Sequence, residues 1–209
     1  MKTVFWDWNG TLLDDVWTGT AAMNALLTKY NLPLLRDTAH YREVFCFPVS
    51  AYYEKLGVGG DLFPVTSHEW MDEYYAREEK CTLRAGALEA LKAFRQAGWR
   101  QVVLSASKTD NLLRQIERYG ILSYFDAVLG LDHIYATSKV EIGRAWLAAQ
   151  GIDPQDCVMI GDTLHDAEVA QALNCRCILA DGGHQSRHVI EQAGCEVADG
   201  VLEAANLVI

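Results

Sequence analysis

The sequence has no apolar run that approaches the roughly 18 residues a membrane-spanning helix requires. It also has no block of basic residues. Lys and Arg total 18 against 28 Asp and Glu, which gives a formal net charge of −10. A chain of this charge is a poor candidate for gripping a nucleic-acid backbone or an anionic membrane surface. We therefore expect neither nucleic acid nor a membrane among its partners.

Closely spaced cysteines are scarce as well. The six cysteines are scattered, and Cys175 and Cys177 form a close pair whose spacing is not that of a CxxC motif. The N-terminal segment has one lysine and a short apolar stretch that Asp7 interrupts, which is not the pattern of a secretory signal. We expect reduced thiols without a metal or redox role, in a cytoplasmic protein.

The remaining composition is that of a soluble globular protein. The chain has 209 residues, of which 50% are hydrophobic and 22% charged. At about 150 residues for a typical domain, this length fits one large domain or a core with a small accessory domain.

Most of the chain alternates short apolar segments with longer segments of helical period. The strand-like segments are residues 4–6, 101–104, 126–129, 157–160 and 176–179. The helix-like segments are residues 86–97, 110–119, 138–150, 164–173 and 186–193. Near-continuous apolar strands that alternate with helices indicate a parallel sheet covered on both faces. The sequence therefore predicts an α/β fold with a doubly wound, mostly parallel sheet.

One long segment breaks the alternation. Residues 15–81 contain helical patterns at 16–30, 36–45, 49–56 and 67–80, and no strand-like run. We predict an α/β core of residues 1–14 and 82–209, with an all-α cap of residues 15–81 inserted after the first strand. An open α/β sheet binds its ligand at the carboxyl ends of its strands, where both linkers emerge. The cap is therefore expected to cover the site.

Chemically active side chains follow these strands. Residues 7–11 follow the first strand, Ser105 follows the second, Lys139 opens a helix, and residues 161–166 follow a later strand. Several helix N-termini would point backbone amides at the same crevice. Clustered carboxylates favour a hard divalent cation, and Mg²⁺ accepts one or two carboxylates, waters and phosphate oxygens.

These four segments resemble, in their order and positions, the motifs of the haloacid-dehalogenase superfamily. The helical insert resembles the cap of its phosphoglycolate-phosphatase-like branch. The resemblance covers essentially the whole chain. It implies a Rossmann-like core and a Mg²⁺-dependent phosphatase that hydrolyses a small phosphorylated metabolite, as a monomer or homodimer.

The resemblance also implies roles for individual residues. Asp7 would be the nucleophile that forms an aspartyl-phosphate. Ser105 would hydrogen-bond the phosphoryl oxygens, and Lys139 would pair with the phosphoryl group and hold Asp7 in place. A carboxylate that attacks a phosphate dianion meets charge repulsion, so the site must supply positive charge and amides. Further candidates for substrate binding are Thr11, Ala106 and Arg42.

A metal site is implied in the same way. Asp7, Asp162 and the backbone carbonyl of Asn9 would bind Mg²⁺, with Asp166 as a further ligand or as support. An acidic chain would then bind an anionic phosphate only while Mg²⁺ is present, because Lys139 is the nearest fixed positive charge.

Asn9 departs from the family's usual motif, in which an Asp at this position protonates the leaving oxygen and then activates water. An amide cannot donate or take that proton, and losing such help typically costs about 10²–10⁴ in rate. Three explanations stay open: a slow phosphatase, an enzyme for substrates with good leaving groups, or an Asp→Asn change that traps ligand. Asn9 therefore leaves open whether the protein is an active phosphatase.

Two other functions are compatible with the motifs. A catalytically impaired binding or regulatory protein would keep the phosphate and metal site, and Asn9 motivates that alternative. A dehalogenase is a weaker alternative, because such relatives need no Mg²⁺ and the pair Asp162 and Asp166 argues for one.

Several residues also have ordinary structural interpretations. Lys139 lies in a Ser138-x-x-Glu141 capping-box pattern, which would leave it solvated in the first helical turn. His165 is as compatible with the surface as with catalysis. The residues 182–184 could contact phosphate or form a plain glycine turn. In the cap, Phe45, Phe47 and Tyr53 either face the substrate or form the cap's core, and Tyr52 and Tyr53 are expected to point in opposite directions.

Overall fold

A computed structural model describes residues 2–135 and 138–209, and it contains one six-stranded sheet and one two-stranded ribbon. The strands are β1 (Thr3–Trp6), β2 (Leu13–Asp14), β3 (Thr82–Leu83), β4 (Arg100–Lys108), β5 (Ala127–Leu131), β6 (Cys157–Gly161), β7 (Arg176–Ala180) and β8 (Glu196–Ala198). The large sheet has the order β5-β4-β1-β6-β7-β8, and every neighbouring pair in it is parallel. The predicted α/β class is confirmed.

Helices connect most of these strands along the chain. They are α1 (Val16–Lys29), α2 (Thr38–Val44), α3 (Val49–Lys55), α4 (Phe63–Tyr75), α5 (Ala87–Gln96), α6 (Thr109–Arg118), α7 (Val140–Gln150), α8 (Leu164–Leu173), α9 (Arg187–Ile190) and α10 (Val201–Asn206). Among the described residues, no helix is both long and apolar enough to cross a membrane.

The central strand β1 explains why both faces of the sheet are covered. Its side chains alternate between faces, as in any strand, and all four residues are buried. Val4 and Trp6 pack into one cluster with α5, α6 and α10, whereas Phe5 packs into a second with α7 and α8. The indole N–H of Trp6 donates to the side chain of Gln101 at 3.0 Å, which satisfies its one buried polar atom.

Helices α1 to α4 lie between β2 and β3, which pair antiparallel. We call residues 15–81 the cap. Their own cluster of buried residues, which includes Met23, Leu26 and Leu27 of α1, is separate from the two clusters on the sheet. The chain therefore enters and leaves the cap through one short ribbon of β2 and β3.

The structure differs from the sequence-based expectation at several boundaries. β4 runs past Ser105 to Lys108, because it pairs with β5 across a shift in register, so Ser105 lies within the strand. Helix α4 begins at Phe63, since Pro64 occupies a first-turn position that favours proline rather than ending a helix. The short strands β2, β3 and β8 escaped prediction, because two or three residues carry no periodicity. The helix α10 also escaped it, since its six residues span less than two helical turns.

Candidate active site

Four side chains from different elements converge at the carboxyl edge of β1 and β6. They are Asp7 after β1, Lys139 at the start of α7, and Asp162 and Asp166 at the turn from β6 into α8. We call these four residues the floor. All four are buried, and a carboxylate oxygen from each aspartate lies within 4.8 Å of the others. The expected convergence is therefore present.

Lys139 is 1% exposed and stands at the N-cap position of α7. Its ammonium donates to Asp7 Oδ1 and, at 2.7 Å, to Asp166 Oδ1. Burial opposes its charge, but the carboxylates of Asp166 and Asp7 raise the pKa of Lys139 above its usual range. The interpretation of Lys139 as a solvated first-turn lysine is wrong, because its side chain is buried and paired with Asp7 and Asp166. Glu141 pairs with Arg144 on the helix surface.

Asp166 shapes the turn from β6 into α8. Its Oδ2 accepts from the backbone N–H of Asp162 at 3.1 Å and from the N–H and hydroxyl of Thr163 at 3.0 and 2.8 Å. Its Oδ1 accepts from Lys139. Because both of its carboxylate oxygens accept hydrogen bonds from the protein, Asp166 holds Lys139 and the turn from β6 into α8 in place.

Asp162 is enclosed by backbone. Its Oδ1 accepts from the Thr11 hydroxyl at 2.7 Å, and its Oδ2 accepts from the His184 N–H at 2.6 Å. A Cβ at Gly10, where φ is +77°, or at Gly183 would collide with this carboxylate. Thr11, predicted to bind substrate, is fully buried and orients Asp162.

Asp15 and His184 form a buried pair beside the floor that the sequence did not single out. His184 Nε2 lies 3.1 Å from Asp15 Oδ1, and its Nδ1 lies 2.7 Å from the hydroxyl of Tyr41 in the cap. Burial opposes its charge, but Asp15 and Asp162 raise the pKa of His184 to about 9. Burial likewise opposes ionisation of Asp15, but His184, Asn9 and Tyr74 lower the pKa of that carboxyl. Both side chains are therefore charged near neutral pH.

Asn9 is held from both ends of its carboxamide. Its Nδ2 donates to Asp15 Oδ2 at 2.7 Å, and its Oδ1 accepts from the Ser107 hydroxyl at 2.7 Å. Asp15 also accepts from the Gly10 N–H at 3.0 Å and from the Tyr74 hydroxyl at 2.8 Å. Although Asp15 stands at the N-cap of α1, its carboxylate is turned toward Asn9 and caps no helical N–H.

The charges of this region do not cancel. Four buried carboxyl groups face two buried cations, so full ionisation would leave an excess of two negative charges. The carboxylates are Asp7, Asp15, Asp162 and Asp166, and the cations are Lys139 and His184. Burial is the main reason why the pKa of Asp7 is raised to about 8 despite the nearby ammonium of Lys139, and Asp166 and Asp162 raise it further. Three clustered oxygen donors, among them a carboxyl group whose ionisation the nearby cations do not fully support, fit a divalent cation such as Mg²⁺.

A cavity of about 160 Å³ lies over the floor, and the cap closes it from above. We call six of the aromatic cap side chains that line it the ceiling: Phe45, Phe47, Tyr52, Tyr53, Phe63 and Trp70. Asp7, Asn9, Ser105 and Ala106 line the same cavity from the core. Tyr52 and Tyr53 are both buried, so the expectation that they point in opposite directions is wrong.

Contacts between cap and core hold the cavity closed. The Arg42 guanidinium donates to the carbonyls of Gly183 at 2.8 Å and Gly182 at 3.0 Å, and it does not line the cavity. The Phe47 ring stacks on His165 with centroids 4.4 Å apart. His165 is buried and lines the cavity, so the surface interpretation of this residue is wrong.

Comparison with known proteins extends these observations. The family model described as haloacid dehalogenase-like hydrolase matches residues 4–180. A phosphoglycolate phosphatase of Caulobacter vibrioides is 27% identical over 205 residues, which cover 93% of this chain and 85% of that protein.

Solved structures share the fold. A hydrolase of the haloacid dehalogenase-like family from Streptococcus pneumoniae superposes with a TM-score of 0.86 at 16% identity and covers 100% of this chain and 99% of that one. The CbbY protein of Rhodobacter sphaeroides, solved in complex with phosphate, superposes with a TM-score of 0.75 at 18% identity, with 97% and 96% covered.

Proposed function

The chain belongs to the haloacid dehalogenase-like hydrolases, and from that membership we propose that it hydrolyses a small phosphate monoester with Asp7 as the nucleophile. The family and the phosphoglycolate phosphatase relative make it a phosphoric monoester hydrolase. Its substrate is a small phosphorylated metabolite, and its setting is the cytoplasm, in keeping with six free cysteines.

The observation that carries this proposal is the position of Asp7. It lines the cavity together with Ser105 and Lys139, and Lys139 holds one of its oxygens. A phosphoryl group above Asp7 would therefore meet the nucleophile, a buried ammonium and a hydroxyl at the same place. This combination supports phosphoryl transfer to the carboxylate.

The reaction would proceed in two displacements. An oxygen of Asp7 attacks phosphorus, the bond to the leaving oxygen breaks, and the departing alkoxide takes a proton from water to give the alcohol. Water then attacks the aspartyl-phosphate, which releases phosphate and restores the carboxylate. Lys139 offsets charge on the phosphoryl oxygens, and Ser105 donates its hydroxyl to them. Asp166 positions Lys139 through their 2.7 Å ion pair.

A divalent cation belongs to this proposal, and Mg²⁺ is the one we infer. Asp7, Asp162 and the backbone carbonyl of Asn9 would hold it, and Asp166 would support the site from behind. When bound, Mg²⁺ supplies positive charge to the phosphoryl oxygens. The excess negative charge of the buried carboxylates favours this assignment, because the chain's own cations do not neutralise it.

Asn9 limits how the leaving alcohol obtains its proton. The amide lies between Asp15 and Ser107 and carries no acidic proton. We propose that the enzyme is slow for poor leaving groups for this reason, since lost general acid help typically costs about 10²–10⁴ in rate.

The same observation favours a second candidate function. A protein that binds a phosphorylated ligand and Mg²⁺ without turning the ligand over would also keep the floor and the closed cap. The two functions differ in whether Asp7 becomes phosphorylated and whether water then hydrolyses the aspartyl-phosphate.

The test is phosphate release from a panel of phosphate monoesters by the natural sequence, with Mg²⁺ and with a chelator. Phosphorylation of Asp7 is read in parallel by rapid acid quench and peptide mass. We expect release that depends on Mg²⁺, with a phosphoryl group on Asp7. Binding of the esters without release or phosphorylation would instead support the binding protein. The intact mass of each sample is recorded, because an Asn-Gly sequence such as Asn9-Gly10 can deamidate.

A further inference from the structure

The cavity is larger than the phosphoryl group needs. Its 160 Å³ has room for on the order of ten water molecules. A phosphoryl group fills only part of that space, so the alcohol half of the ester must lie against the ceiling. The chemistry of the ceiling therefore selects the alcohol.

The ceiling consists of aromatic side chains and carries no positively charged group. Tyr53 and Phe63 meet edge to face with centroids 5.1 Å apart, and Phe45 and Tyr52 do so at 5.2 Å. Among the described residues, no arginine lines the cavity, and Lys139 and Lys108 are the lysines that do. Both lie on the core side, where Lys139 is engaged by the floor and Lys108 lies 3.5 Å from Asp110. The imidazole of His184 also lines the cavity from the core, and it is already paired with Asp15 at 3.1 Å.

A carboxylate on the alcohol would therefore be buried against aromatic rings without a partner. Burying an unpaired charge is costly, whereas an uncharged ring gains free energy by contact with other rings. The ceiling disfavours acids of the glycolate type for this reason.

Two buried polar atoms in the cavity lack a partner among the described residues. They are the Tyr52 hydroxyl and His165 Nε2, and both residues line the cavity. Buried polar atoms are normally hydrogen-bonded, so a buried polar atom without a partner calls for an explanation. A ligand with hydrogen-bonding atoms would satisfy them, whereas a hydrocarbon ring or a quaternary ammonium group would not.

We propose that the substrate is a phosphate monoester whose alcohol carries an uncharged, planar heteroaromatic ring. The ring packs against the ceiling, and its polar atoms meet the Tyr52 hydroxyl and His165 Nε2. This inference rests on the proposed phosphatase function and names the substrate class of the same site.

The first experiment compares esters that all leave as a primary alkoxide, so that leaving-group reactivity is similar. They are 3-pyridylmethyl, 4-pyridylmethyl and benzyl phosphate, with 2-phosphoglycolate and phosphocholine as the charged alternatives. We expect kcat/KM to be about tenfold or more higher for the better pyridylmethyl ester than for either charged ester. A higher kcat/KM for 2-phosphoglycolate or phosphocholine would overturn the inference while leaving the phosphatase function intact.

The second experiment tests whether the Tyr52 hydroxyl contacts the polar atoms of the ring. Tyr52→Phe removes an unpartnered polar atom without changing the ring, so the fold is expected to tolerate it. The better pyridylmethyl ester should exceed benzyl phosphate by about threefold or more in the natural sequence, and this ratio should fall toward one in Tyr52→Phe. An unchanged ratio in both Tyr52→Phe and His165→Phe would contradict the assigned polar contacts.

A positive charge introduced on the cap side of the cavity tests the same inference in the opposite direction. Met71 lines the cavity and is half-buried, whereas Val65 on the same helix is 55% exposed and does not line it. Met71→Arg should shift the preference toward 2-phosphoglycolate by about tenfold, and Val65→Arg should leave it unchanged. Equal preferences in the two variants would overturn the inference.

Binding separates this inference from the proposed function. Calorimetry with Mg²⁺ compares pyridylmethylphosphonate, which is not hydrolysed, with 3-phosphonopropionate. Tighter binding of the ring compound by about tenfold supports the inference even if no ester is turned over, in which case the phosphatase proposal alone fails. Equal or weaker binding of the ring compound would overturn the inference.

Discussion

The floor and the ceiling enclose the same cavity by opposite means. On the floor, three carboxylates and one ammonium are joined by ion pairs and by donors from Thr11, Thr163 and His184. On the ceiling, five of the six aromatic side chains meet one another through ring contacts, and the Tyr52 hydroxyl has no partner within the described part of the chain. The floor fixes positions through directional bonds, whereas the ceiling is held together by the packing of rings.

The difference separates two tasks within one site. Directional bonds hold a reacting group in place, which is what phosphoryl transfer requires. Apolar contacts are less directional and tolerate exchange of one ring for another of similar volume. Changes on the floor should therefore affect the chemical step, and changes on the ceiling should affect the choice and retention of substrate.

The largest expected effect comes from Asp7→Asn. Removing the proposed nucleophile should lower kcat by about 10⁴-fold or more, because the carboxylate oxygens of Asp162 and Asp166 are already engaged by hydrogen bonds within the protein. Steady-state phosphate release measures this loss. Asp14→Asn, which changes the exposed neighbouring carboxylate on β2, is the matched control and should keep the natural rate. Retained activity in Asp7→Asn would show that the floor has another nucleophile.

The same variant tests the charge imbalance on the floor. The folded protein raises the pKa of Asp7 from 3.8 to about 8, so between these values it binds more protons than the unfolded chain. Without metal, stability should therefore fall as pH rises from about 4 to 8, by at most about 1.4 kcal/mol per pH unit. Chemical denaturation of Asp7→Asn in a chelator should show a flatter profile. An equally steep profile would assign the slope to other groups.

Lys139→Met should destabilise the fold as well as the reaction. It leaves the buried carboxylates of Asp7 and Asp166 without their cation, and breaking a buried pair costs about 3–5 kcal/mol. Denaturant unfolding measures the loss, and added Mg²⁺ should restore part of it. Lys92→Met on the exposed surface of α5 is the control. A loss below about 1 kcal/mol would contradict the role assigned to Lys139.

Asn9 and Asp15 should behave as a coupled pair. Asn9→Asp alone would place two carboxylates within the 2.7 Å contact that Asn9 Nδ2 now makes with Asp15, so we expect little gain in rate. Asn9→Asp with Asp15→Asn inverts the donor and acceptor, and it should exceed the single variant by about tenfold or more in kcat. If Asn9→Asp alone gives the full gain, the two residues are independent.

The smallest effect is expected on the ceiling. Phe47→Ala removes the ring that stacks on His165 across the boundary between cap and core. A lost aromatic contact of about 1 kcal/mol should raise KM about fivefold and leave kcat nearly unchanged. Leu34→Ala, at a side chain 51% exposed on the cap, is the control. A loss confined to kcat would place Phe47 in the chemical step.

The sequence predicted the floor well because its residues follow strand ends. Asp7 and Asp162 come directly after buried apolar runs, and the carboxyl ends of parallel strands share one edge. The partners of these residues escaped prediction. Asp15 and His184 are 169 positions apart, and no local pattern shows that a core histidine meets a carboxylate at the start of the cap.

The ceiling was only partly predictable. The sequence left open whether Phe45 and Phe47 face the substrate or form the cap's core, since helical period marks a buried face without naming its neighbour. Tyr52 shows the limit most clearly. Adjacent residues on a helix point about 100° apart, so both Tyr52 and Tyr53 can be buried where α3 is covered from two directions.

The ribbon of β2 and β3 has a consequence for how such enzymes diversify. Because Leu13 pairs with Leu83 and Asp14 with Thr82, the inserted segment departs from and rejoins the sheet at a single place. Its length and sequence can drift, or be exchanged for another insert, without altering the register of any strand that carries the floor. A change of cavity lining on the cap side would thus need changes in one contiguous stretch of the gene, while the residues of the floor keep their places.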